Sequence, residues 1–425
     1  MLNRAIRLAA ACILTAGLPA VSVLGSPAAS AQGIGQQARA DEMPELRRID
    51  VPAAWRVTKG AGVTVAVLDT GVDPTIPDLT GSVTVGPDYT LGADPPGYQP
   101  PHLHGTYIAS LIAGHGSGPG RSAGVIGVAP DARILSVRVI LDDQEPGLNV
   151  YSENTRYADA IPDGIRYAVG HGAQVINMSL GSTTPTRATR LAIGYAITHN
   201  VVVVASAGNE GTARSGFTPY SYPASFTGVI SVAAVGASGL RASFSDRNAS
   251  VVISAPGVNI VGAGPGGEYL IASGTSPAAA FVSGVVALIR SRYPQLAPAL
   301  VTQALVSSAR HRPAAGYNPG IGFGEVDAVA ALSAAGRLAA QRQRASLSAG
   351  LSASAHFGPG TPGPIQVVHR SYRKIVALGV LAGVAALGFL LALTLLVTQV
   401  LRGRAQRAPE RNVSADGGNV TVTET

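Results

Sequence analysis

Cysteine is all but missing from this chain of 425 residues, with Cys12 the only one. Since Cys12 falls in a segment expected to be removed, no disulfide can hold the mature fold together. Lysine is nearly as scarce, at Lys59 and Lys374 alone, and every other basic residue is arginine. The formal net charge of +7 is spread along the chain rather than gathered in one patch, so nothing points to nucleic-acid binding. Long apolar runs are confined to the two ends. The stretch of about 290 residues between them can bury enough surface to be stable without bridges.

What is present is concentrated in three segments: VAVLDTGVD (65–73), HGTYIASLIAG (104–114) and SGTSPAAAFVSGVVALI (273–289). They offer an Asp, a His and a Ser, in that order. A serine hydroxyl becomes a nucleophile near neutral pH only if an imidazole takes its proton, and a buried carboxylate must orient that imidazole. Asp69, His104 and Ser276 are the candidates. Val63 to Leu68 is β-branched and apolar, suited to a buried parallel strand, which places Asp69 at the strand's carboxyl end. Ile108, Leu111 and Ile112 recur at helical spacing after His104. Ser276 precedes Pro277 at the start of an apolar helix expected over 277–290.

Pro277 discriminates between hydrolase types. An α/β-hydrolase uses the backbone N–H of the residue after its nucleophile, and proline has none. The G-x-S-x-G elbow is missing too. Strands expected near 63–68, 133–139, 174–179, 201–206 and 228–234 alternate with helical segments. The fold class is therefore α/β, a parallel sheet covered by helices on both faces.

The three segments together resemble the subtilisin-like serine proteases, as do INMSLGS (176–182), VVVVASAGNEG (201–211), SYPASFTGVISVAAV (221–235), ASFSDRN (242–248), APGVNIV (255–261) and GFGEVDAVAAL (322–332). The resemblance covers roughly 50–335. It implies a serine endopeptidase acting through an acyl-enzyme on proteins or peptides, without a cofactor; no calcium loop is evident among the residues, so no metal is expected. It also implies that Asn209 joins the Ser276 N–H as the oxyanion donors, and that Ser179, Leu180 and Gly181 bind substrate as an added strand. The family pattern has Met after the nucleophile and Pro four positions beyond it; here those positions are Pro277 and Ala280.

The ends complete the organisation. Residues 1–31 read as a signal peptide, with Arg4 and Arg7 before an apolar stretch and Ala29-Ser30-Ala31 as the cleavage site. A short extension follows at 32–48, then the protease domain at 49–335 and a Pro/Gly/Ala/Ser-rich linker at 336–374. Ile375 to Thr398 carries no charge, and at 1.5 Å per residue spans about 36 Å, enough for a bilayer core of about 30 Å. A transmembrane helix is expected at 375–400 and a cytoplasmic tail at 401–425, with the protease outside the cell membrane. This arrangement resembles the mycosins, membrane-anchored proteases associated with type VII secretion. That likeness implies secreted-protein substrates, a membrane secretion complex as partner, and an extension packed on the domain without inhibiting it. A second function from another class follows from it, a scaffold of that complex with proteolysis secondary.

Other features have plainer readings. GAGPGG (262–267) is expected to be a turn rather than a phosphate loop. Asp73, Asp142 and Asp143 are expected to be solvated loop carboxylates; His115, His171 and His199 are expected at the surface or in packing. Segment 141–158 reads as a loop insertion. His104 is expected to titrate near its ordinary value of about 6.5.

Overall fold

A computed structural model describes residues 31–212, 216–347 and 372–405. The chain divides into two units, residues 1–349 and 350–425. The expected signal peptide (apart from Ala31), most of the linker and most of the tail lie outside the described residues.

In the first unit the helices are α1 (Ala31–Arg48), α2 (Val51–Ala54), α3 (Leu103–Ala113), α4 (Leu148–Glu153), α5 (Ala160–Gly170), α6 (Arg187–Thr198), α7 (Thr275–Arg292), α8 (Pro298–Ser308) and α9 (Ala328–Leu347). The strands are β1 (Thr64–Asp69), β2 (Val83–Asp88), β3 (His115–Ser117), β4 (Ala123–Ile126), β5 (Arg133–Arg138), β6 (Val175–Met178), β7 (Val202–Ser206), β8 (Ile230–Val235), β9 (Ile253–Pro256), β10 (Ile260–Ala263) and β11 (Tyr269–Ala272). Seven of them form one parallel sheet in the order β2-β5-β1-β6-β7-β8-β9. β3 with β4 and β10 with β11 are small antiparallel pairs. All five expected strands are present, with ends shifted by a residue or two; β2 and β9 were not foreseen.

The alternation of side chains divides the core in two. Val65, Val67, Val202 and Val204 point into a cluster with α3 and α7, while Ala66, Leu68, Val203 and Ala205 point into one with α5 and α6. This is why the central strands are apolar throughout. Helix α7 is buried at every position from Thr275 to Arg290. It opens two residues before Pro277, so Ser276 lies within its first turn.

Arg290 is the bulkiest of the fully buried side chains and is 1% exposed. Its guanidinium meets only oxygen acceptors, the carbonyls of Pro294, Leu296 and Asn200 and the Asn200 side chain. Burial without an acidic partner lowers its pKa to about 10.

The extension expected at 32–48 is α1, whose inner face docks through Arg39 and Glu42. Arg39 donates to the carbonyls of Gly124 and Ala123, and Glu42 accepts the Ile126 N–H at 2.8 Å. The start and the end of the domain meet at Arg310. Its guanidinium bonds the Arg48 carbonyl and the carboxylates of Asp50 and Asp327, and beside it the Ala328 N–H donates to the Ile49 carbonyl. Helix α9 continues through Leu347, so the first part of the segment assigned to the linker is helical.

In the second unit α10 (Tyr372–Ala405) contains Val376–Gln399, a stretch of 24 residues whose most apolar part has a mean hydropathy of 2.7. It is long and apolar enough to cross a membrane. Its side chains from 376 to 399 are all exposed, unlike those of a core helix.

Candidate active site

β1, β6 and β7 are parallel neighbours, so their carboxyl ends lie side by side. Ligand sites in open α/β sheets collect at such an edge. Asp69 ends β1, Ser179 follows β6, and Asn209 follows β7.

Asp69 is fully buried, and its Oδ1 accepts the Thr70 N–H at 2.8 Å and lies 2.7 Å from His104 Nδ1. A carboxylate only accepts, so Nδ1 carries the proton and Nε2 is left as the basic atom. His104 lies in the first turn of α3, which must approach the β1 turn closely. Gly105 makes that possible, since a Cβ there would overlap the Gly71 carbonyl oxygen. Gly71 itself takes φ 94°, with the His102 ring packed where its side chain would be. The His102 Nδ1–H donates to the Thr70 carbonyl at 2.7 Å, closing the turn. His102 thus has a structural place beside the candidate base.

Burial disfavours the charged imidazole of His104, but the neighbouring carboxylates, Asp69 foremost, outweigh it and hold the group above its ordinary 6.5. The expectation of an ordinary titration is therefore corrected, because it gave no weight to the charge of Asp69 at 2.7 Å or to the second carboxylate, Asp142, nearby.

Ser276 is 5% exposed, and its hydroxyl donates to the Ser179 carbonyl at 3.2 Å. The Ser179 Oγ lies 3.1 Å from both Ser276 O and Asn177 Oδ1, tying α7 to β6. No hydrogen bond joins Ser276 to His104 in this state. Contacts of that kind are often long without substrate and tighten when it binds.

Asn209 is half-buried, and its Oδ1 accepts both the backbone N–H and the hydroxyl of Thr275, each at 2.9 Å. A backbone N–H can only donate, which fixes the amide orientation and turns Nδ2 away from Thr275. The Ser276 N–H lies in the first turn of α7, where the helix offers no carbonyl partner. Beneath this loop Asp246 accepts the Glu210 N–H at 2.9 Å, and burial pushes its carboxyl up to about 7.

Ser179 and Leu180 are buried and Gly181 is half-buried, all beyond the end of β6. Ser182 pairs with Tyr222, each N–H donating to the other's carbonyl at 2.8 Å. Asp142 departs from the sequence reading: it is 8% exposed, not solvated, because it receives two N–H groups at the start of α3. Asp143 is exposed, and Asp73 is half-buried and accepts from Thr75 and Gly266. His115 is buried, while His171 and His199 are exposed. GAGPGG is the β10–β11 turn, with Gly266 and Gly267 at positive φ. Segment 141–158 is not a plain loop, since it contains α4 and a turn of 3-10 helix at Thr155–Tyr157. Among the described residues no three His, Cys, Asp or Glu gather as metal ligands.

Sequence reasoning missed Asp142 and Thr275. Asp142 lies 38 residues from His104, with no spacing signal to connect them. Thr275 adjoins the nucleophile candidate and was legible only as helix-start chemistry.

Residues 60–324 match the model of the Subtilase family of S8 peptidases. Subtilisin E of Bacillus subtilis (strain 168) is 38% identical over 252 residues, which is 59% of this chain and 61% of that protein. The chain thus spans less than two thirds of that relative's length. Among solved structures, MycP1 from Mycobacterium smegmatis is 28% identical with a TM-score of 0.58, covering 73% of this chain and 88% of that one. The MycP3 protease from the type VII (ESX-3) secretion system is 31% identical with a TM-score of 0.56, covering 73% and 91%. Both are mycosins, so the likeness to that group extends to three dimensions. With the sheet, the carboxyl-edge residues and these matches in agreement, the chain belongs to the subtilase family.

Proposed function

We propose that this chain is a membrane-anchored serine endopeptidase. Ser276 attacks a peptide carbonyl while His104 takes its proton through Nε2. Asp69 holds the tautomer and stabilises the imidazolium. The Asn209 Nδ2 and the Ser276 N–H receive the developing oxyanion. His104 then protonates the leaving amine, and water releases the acyl-enzyme by the reverse sequence. Substrate lies along Ser179–Gly181 as an added strand, held by backbone bonds. The single observation that carries this reading is the 2.7 Å Asp69–His104 contact at the strand end beside Ser276 and Asn209.

The mycosin likeness supports an extracytoplasmic protease in type VII secretion, acting on secreted proteins, with α10 as its anchor and the tail in the cytoplasm. A fluorophosphonate should label the wild-type chain and not Ser276→Ala; equal labelling of the two would refute the enzyme. The wild-type chain should stay with membranes at alkaline pH, and a chain ending before Tyr372 should be released. If secretion persists with Ser276→Ala but fails on deletion of the whole chain, the scaffold role dominates.

A further inference from the structure

The mechanism leaves unused a buried carboxylate next to its base. Asp142 Oδ2 accepts the Leu103 N–H at 2.9 Å, and Oδ1 accepts the His104 N–H at 3.2 Å. Helix α3 has no cap of its own, because His102 ahead of it sits at φ 54° and makes no side-chain capping bond. Asp142 therefore does from a distant loop what an N-cap residue does locally, and it adds a negative charge at the positive end of the helix.

This carboxylate is itself held in place. The Asp142 N–H donates to Glu145 Oε1 at 2.7 Å, and Glu145 Oε2 accepts from Arg138 Nη2 at 2.5 Å. Arg138 also reaches Asp88 at 2.9 Å and Asp94 at 3.2 Å, and Asp94 receives the Gly147 N–H. Arg138 ends β5, the neighbour of β1 in the sheet. A chain of bonds thus runs from a fixed strand end to the backbone of His104.

We propose that Asp142 is a positioning residue for His104. It fixes where α3 begins, and so where the imidazole stands, and its charge joins that of Asp69 in favouring the imidazolium. The proposal rests on the reading of His104 as the general base. The groups facing this pair are Asp69 from β1, Asp143 beside Asp142, and Glu145 with Arg138 behind. Burial and the nearby Asp69 push the Asp142 carboxyl up; the imidazole and the two N–H bonds pull it down but leave it above its ordinary value.

The test replaces Asp142 with Asn in the full chain in detergent, and Asp143→Asn serves as control. Histidine NMR should show the His104 titration moving to lower pH by about half a unit or more in Asp142→Asn. The control should move less. The acidic limb of kcat/KM should move with it, and kcat should fall about tenfold or more with little change in KM. If Asp142→Asn does not fold, Asp142→Ser keeps an acceptor for one N–H and carries the same expectation. A variant with a lower Tm but unchanged His104 titration would overturn the proposal and leave Asp142 a structural cap. Absence of hydrolysis in the wild-type chain would count against His104 as base, and the NMR titration would still decide the positional claim.

Discussion

Thr275 donates twice to one atom, the Oδ1 of Asn209, so the residue before the candidate nucleophile aims the candidate oxyanion donor. Removing Asn209 Nδ2 by Asn209→Ala should lower kcat about 10²–10³-fold with KM nearly constant, the size established for an oxyanion asparagine in a subtilisin. Thr275→Val keeps the backbone bond and loses the hydroxyl, so its loss of kcat should be smaller than that of Asn209→Ala. Steady-state hydrolysis of one peptide substrate by the three proteins checks both.

The pH profile follows from the electrostatics of His104. The base must be neutral to accept the serine proton, and the surrounding carboxylates raise its pKa above 6.5. Activity should therefore rise with pH through a midpoint above 6.5, and the enzyme should work best in mildly alkaline solution. A profile of kcat/KM already flat below pH 6 would contradict this.

Gly105→Ala places a methyl group against the Gly71 carbonyl, a backbone atom that cannot turn aside. The resulting overpacking should cost about 1–3 kcal/mol of stability. Because the displaced element carries His104, activity should fall further than the loss of folded protein explains. Thermal unfolding together with active-site titration separates the two effects.

Glu42 is 2% exposed where α1 docks, with Arg39, Asp78 and Tyr107 around it, and burial raises its pKa well above 4.5. A carboxyl that holds its proton more tightly when folded contributes stability at low pH that is lost as pH rises through the raised value. Glu42→Gln should thus raise Tm by a few degrees at pH 8 and leave it nearly unchanged near pH 4. Calorimetry at the two values tests the sign.

The sequence was most legible where one local rule decides the outcome. β1 could be read because Val65 to Leu68 are buried on both faces, and α7 because nearly every residue from Thr275 to Arg290 is apolar or small. Asp69, His104, Ser276 and Asn209 were legible because their neighbours are so specific. β2 was not, since its residues are exposed or half-buried and its run is broken by Gly86 and Pro87. The burial of Asp142 was hidden because it depends on Arg138 and Glu145 forming a frame for α3, a relation across the chain that no window of sequence contains.

The clamp at Arg310 has a mechanical consequence. The entry of the chain into the domain at Arg48–Asp50 and its exit at Asp327–Ala328 are fastened to each other. A load pulling on α9 meets the Arg310–Asp327 bond beside the first residue of that helix and is shared through the same guanidinium with Arg48 and Asp50, so tension on the exit of the chain is also tension on its entry.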